Sequence, residues 1–115
     1  MTQPITFNLA DGSVRFSFSP AAAQELKTAL DEIMTALKTA AAEAGESSRR
    51  SQAQPLEHRY TGDVFLEVFC NPNIWPSPFA AKALITLRDD RIRLTTETAL
   101  SQLYEDISVY LDSAG

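Results

Sequence analysis

Apolar and polar residues alternate through ITFNL and VRFSF, residues 5–9 and 14–18, on either side of an Asp11-Gly12 pair. Strict alternation reads as half-buried strand, and Asp-Gly accepts the positive φ angles of a type I′ turn. A two-residue loop there pairs Leu9 with Val14, Phe7 with Phe16 and Ile5 with Phe18. All six apolar residues then share one face, with Thr6, Asn8, Arg15 and Ser17 on the other. A second hairpin is expected in ALITLRDDRIRLT with Asp89-Asp90 at its tip, pairing Leu87 with Ile92 and Ile85 with Leu94. Its opposite face carries Leu84, Thr86, Arg88, Arg91, Arg93 and Thr95. Between the hairpins, HRYTGDVFLEVF alternates with both faces substantially apolar, the pattern of a central strand.

Two stretches switch to helical spacing. Ser19-Pro20 is a start signal, serine as cap and proline at the first helical position. Leu26, Leu30, Ile33, Leu37 and Ala41 follow as one stripe, and Gly45 is the expected stop. A C-terminal helix is expected from about Thr96, with Leu100, Leu103, Ile107 and Leu111 on its buried side and Glu97 near its start. Residues 45–57, GESSRRSQAQPLE, lack periodicity and read as a mobile polar loop. The expected architecture is a single α+β domain over residues 1–115, in the order β-β-α-β-β-β-α. A mainly antiparallel sheet carries both helices on one face.

Composition narrows the function classes. The chain has 115 residues, 44 % hydrophobic and 22 % charged, within the globular range and enough for one core. A net charge of −5 opposes non-specific attraction to nucleic acid or anionic lipid. One cysteine, Cys70, excludes an internal disulfide, and one histidine, His58, excludes a Cys/His metal cluster. The N-terminal residues do not resemble a signal peptide, and no apolar run approaches the ~20 residues of a membrane span. The expected setting is cytoplasmic, without membrane insertion.

Catalytic groups do not assemble on paper. No Gly-rich phosphate loop is present. On one continuous strand His58 and Cys70 lie about 40 Å apart, and Asp63 and Glu67 about 13 Å apart, too far for shared chemistry. No catalytic residue, metal ligand or cofactor is therefore assigned.

The outer sheet face is the candidate binding surface. It is expected to gather Arg15, Arg88, Arg91 and Arg93 with Phe65 and Phe69, a mixture that suits unpaired bases as well as protein contact. Beside it runs FCNPNIWPSPFAAK, residues 69–82, with prolines at 72, 76 and 78 and the only tryptophan, Trp75. Ile74, Trp75 and Phe79 are expected to close the core, with Trp75 also a candidate recognition residue.

Two long strings, FLEVFCNPN followed by W and PFAAK, and LRDDRIRLTTE, resemble a small family of uncharacterised cyanobacterial proteins over the C-terminal half of the chain. The resemblance implies a bacterial cytoplasmic setting and no catalytic residues. A looser likeness at the level of fold is to small single-strand-binding proteins of the transcriptional-coactivator or Whirly type. The leading expectation is a dimeric, non-catalytic binding or regulatory protein that meets a protein partner through the outer sheet face and the Pro-rich loop. Single-stranded nucleic-acid binding on the arginine face is the alternative, and a small-ligand site or enzyme the third.

Overall fold

A computed structural model describes residues 2–44 and 54–114. Strands β1 (Gln3–Leu9) and β2 (Gly12–Phe18) form a hairpin, followed by helix α1 (Pro20–Ala44). Then come β3 (Leu56–Thr61), β4 (Phe65–Cys70), a single 3-10 turn (Pro72–Ile74), β5 (Lys82–Arg88), β6 (Arg93–Ala99) and helix α2 (Leu100–Ala114). The fold is α+β with antiparallel sheets throughout.

The expected faces hold along the paired strands, Ile92 and Arg91 excepted, but both hairpin registers are displaced by two residues. In the first, Ile5 opposes Phe16, Phe7 opposes Val14 and Leu9 opposes Gly12, leaving Ala10 and Asp11 at the tip. No described residue has positive φ, so Gly12 does not use the freedom that made Asp11-Gly12 look like a type I′ turn. A two-residue slip leaves every side chain on its original face. Packing therefore overrides the turn preference: Phe18, now opposite Gln3, sits edge-on to Tyr60 at 4.8 Å and beside Tyr110 at 6.1 Å.

The second hairpin pairs Leu87 with Leu94, Ile85 with Thr96 and Arg88 with Arg93, so residues 89–92 form the loop. Asp89 closes it, its carboxylate accepting from the backbone N–H of Arg91 at 2.8 Å and of Ile92 at 2.9 Å. These two bonds hold the Asp89 carboxyl below its ordinary pKa. Ile92 is consequently exposed at the tip instead of joining the apolar face.

The segment expected as one central strand is two, β3 and β4, folded at residues 62–64 with Thr61 opposite Phe65. A Cβ on Gly62 would run into the Tyr60 phenol, so a larger residue at the bend needs that ring to move. The polar loop is also shorter than expected, since β3 begins at the buried Leu56; residues 45–53 lie outside the described residues.

Six strands fall into two sheets, β1-β2 and β3-β4-β5-β6. Helix α1 starts as expected, with Ser19 Oγ accepting from Ala22 N–H at 3.1 Å. Its stripe Leu26, Leu30, Ile33 and Leu37 is buried, and α1 packs against α2. Helix α2 starts at Leu100, four residues later than expected. Its first N–H donates to the Ala81 carbonyl at 3.0 Å, and the β-branched Thr95, Thr96 and Thr98 remain in β6. Glu97 is therefore a strand residue. The inner faces of both sheets and both helices converge on one core of buried residues, in which Leu66, Val68, Ala83 and Ile85 are fully covered.

Beyond apolar contact, the first hairpin is tied to α2 by a buried carboxylate. Asp106 accepts from the Asn8 backbone N–H at 2.8 Å, from Asn8 Nδ2 at 2.8 Å and from Gln102 Nε2 at 2.9 Å. These three donors, from two residues, supply what a carboxylate taken out of water needs.

Candidate binding surface

The registers of β3 to β6 set the outer face as three rows of four residues. The first row is Glu57, Phe69, Leu84 and Glu97; the second is Arg59, Glu67, Thr86 and Thr95; the third is Thr61, Phe65, Arg88 and Arg93. Lys82 lies one pair beyond the first row. Phe69 and Leu84 are 37 % and 41 % exposed, side by side at the centre of their row. Beside them a shallow hollow of about 170 Å³ is bounded by Phe69, Leu84, Ile74 and Trp75, and Ile74 is 66 % exposed.

Charge on this face is mixed and ordered. Arg59 Nε meets Glu67 Oε2 at 2.7 Å, the one ion pair among the described residues. The first row carries acids at both ends of its apolar pair. In the third row Arg88 and Arg93 sit directly opposite each other, a like-charge cross-strand pair. The Arg88 guanidinium lies over the Phe65 ring, 4.3 Å from its centroid, which shields the cation from part of that repulsion and covers one ring face.

Four of the seven expected surface residues come together here: Phe65, Phe69, Arg88 and Arg93. Arg15 does not, because its hairpin is a separate sheet in which it opposes Thr6. Arg91 lies in the 89–92 loop, outside the rows. Trp75 is half-buried against the core and borders the face. The expectation that Ile74 and Phe79 close the core is overturned: Phe79 is 89 % exposed. The buried places in the loop are taken by Pro72, Pro78 and Ala81. Asn71 starts the 3-10 turn by accepting from Asn73 N–H at 3.0 Å, and Ser77 accepts from Ala80 N–H. Glu57 and Arg59 were missing from the expected surface because their segment was assigned partly to the loop and partly to a single strand. Glu97 was missing because it was placed on α2.

The β3–β4 bend also revises the distance between His58 and Cys70. His58 opposes Val68 and Cys70 opposes Leu56, so the two are diagonal neighbours on the inner face, not about 40 Å apart. They nevertheless do not form an activated pair. Burial raises the Cys70 thiol to about 11, away from thiolate at neutral pH. Burial likewise lowers the His58 pKa, against a smaller opposing pull from Glu25. Among the described residues no three His, Cys, Asp or Glu side chains gather as metal ligands, and no helix is long and apolar enough to cross a membrane.

Compared with known proteins, the chain matches no family model, no curated protein and no solved structure.

Proposed function

We propose that this chain is a non-catalytic binding protein that meets a protein partner through the outer face of β3–β6 and the adjoining loop 71–81. One observation carries the reading: an exposed apolar centre, Phe69, Leu84 and Ile74, lies within a ring of nearly balanced charge. Arg59, Lys82, Arg88 and Arg93 stand against Glu57, Glu67 and Glu97. Interfaces between proteins combine an apolar core with a polar rim in this way. The cytoplasmic, bacterial setting belongs to the same proposal and rests on the resemblance of the C-terminal half.

The reading is tested by capturing partners from native lysate with the parent chain and with Leu84→Asp and Phe69→Asp variants. A partner retained by the parent and lost by both folded variants supports it. Identical capture by all three sinks it. Single-stranded nucleic acid is the weaker alternative, because a groove for phosphates needs continuous positive potential. Arg59 is engaged by Glu67, and Phe65 presents a ring face already covered by Arg88. Salt-sensitive oligonucleotide binding that vanishes in Arg88→Ala and Arg93→Ala variants would favour that alternative.

A further inference from the structure

We infer that the partner on this face is a second copy of the chain, packed sheet against sheet about a two-fold axis lying in the interface and running across the strands. The inference rests on the binding reading above and names its occupant.

The argument is charge complementarity under symmetry. Two identical faces can meet through a two-fold axis along the strands or across them. An axis along the strands lays each row on itself with its ends exchanged. Glu57 of one copy then faces Glu97 of the other, twice, in a contact emptied of water. An axis across the strands lays the first row over the third. Glu97 then faces Arg93 of the second copy, Phe69 faces its Phe65–Arg88 stack, and Leu84 lies along the aliphatic stem of its Arg88. The middle row lies on itself, Arg59 over Arg59 and Glu67 over Glu67, and these like-charge contacts are moderated because each charge is already paired within its own chain.

This arrangement also answers the like charges within one chain. Arg88 and Arg93 oppose each other with no acid beside them in their row, while Glu97 has no base in its own row and only Lys82 diagonal to it. Arg93 and Glu97 answer each other when the first row meets the third, while Glu57 faces Thr61. Size sets the strength: four strands of six or seven residues give a flat footprint of about 20 × 19 Å, close to 400 Å² per copy. Two footprints make about 800 Å², the size of a weak, transient contact. A micromolar, reversible dimer is the expectation.

The test uses sedimentation velocity over a concentration series, at low and high salt, on the parent, Glu97→Arg, Arg93→Glu and an equimolar mixture of the two variants. Glu97 and Arg93 are four apart on one extended strand, about 13 Å, so they do not compensate each other within a chain. Each reversal alone should weaken the dimer at least about tenfold, because a symmetric interface repeats the like-charge contact twice. Mixing should restore association to within about threefold of the parent, since each variant then supplies the charge the other has lost. Melting curves check folding; should either reversal unfold the chain, Glu97→Gln and Arg93→Gln must still weaken the dimer.

A parent that stays monomeric, reversals without effect, or a mixture without recovery each overturns the inference. A monomeric parent that nonetheless captures a partner through Leu84 would leave the binding reading standing and remove the second copy. A dimer with recovery on mixing supports both.

Discussion

Asp106 offers the sharpest test of how the first hairpin is held. An isolated two-stranded hairpin is marginal in water, so β1 and β2 depend on what they dock against. Asp106 is 7 % exposed and accepts three hydrogen bonds, two of them from Asn8, ninety-eight residues away in sequence. A hydrogen bond to a charged group contributes about 1.5–3 kcal/mol, a gross total of roughly 4–9 kcal/mol for three. Two corrections reduce it. Asn8 is exposed, so water replaces Asp106 as a partner for its donors, and removing a buried carboxylate returns its desolvation cost. We expect Asp106→Ala to lose about 2–3 kcal/mol, lowering the melting temperature by roughly 8–12 °C in a domain of this size. Asp106→Asn should lose about 1 kcal/mol, since its carboxamide oxygen still accepts from Asn8 N–H. Calorimetry measures the loss, and hydrogen exchange locates it: the Asn8 amide should lose protection before the amides of β4 and β5. An alanine variant as stable as the parent would refute the reasoning, showing that apolar contact alone seats the hairpin.

Other outcomes follow from the same geometry. Gly12→Ala should be neutral or stabilising by about 0.5–1 kcal/mol, because the site is open and φ is not positive; a clear loss in denaturant melts would favour a left-handed turn residue there. Native Cys70 should alkylate slowly: raising the thiol from 9.0 to about 11 cuts the thiolate at pH 8 roughly 100-fold, and comparison with urea-unfolded chain reads it. His58 has a folded-state pKa below its unfolded value, so its neutral form is favoured by folding. Stability should be full above about pH 6.5 and fall as pH drops toward the folded pKa, a slope that His58→Gln should flatten in chemical denaturation series. Phe18→Ala, which removes the ring between Phe16, Tyr60 and Tyr110, should cost about 3–5 kcal/mol in the same assay.

The division between what could be read along the chain and what could not follows the physics of strands. Faces are written in a period of two, so Ile5, Phe7, Phe16 and Phe18 were assigned to the core without any tertiary information. Register was not written there, since sliding either hairpin by two residues preserves each face and changes only the opposite neighbour. The β3–β4 bend had a local signal, Gly62-Asp63 between two strand-like runs. It was hidden because Val64, beyond the bend, continues the alternation set by Tyr60. Neither the separation into two sheets nor the isolation of Arg15 leaves a local trace, because both depend on which edges meet. In the proline-rich loop, size was a poor guide to cover. The rigid rings of Pro72 and Pro78 fill the space beneath the loop, and Ile74 and Phe79 turn outward.

Register also explains why the outer face could be singled out from sequence while its pattern could not. In the expected hairpin Leu84 stands opposite Thr95, Arg88 opposite Arg91, and Glu97 belongs to a helix. The same residues would then form an apolar and basic face with no acidic end, which suits a polyanion. Moving the register by two residues and extending β6 to Ala99 places Glu97 beside Leu84 and gathers the basic pair at the far end. The face acquires an acidic row and a basic row, four residue pairs apart along the strands, about 13 Å. That separation of charge is a property of pairing, created when Asp89 closes a four-residue loop through its bonds to Arg91 and Ile92. Asp89 thereby links the turn to the surface: by holding the loop at four residues it helps to set which side chains share a row.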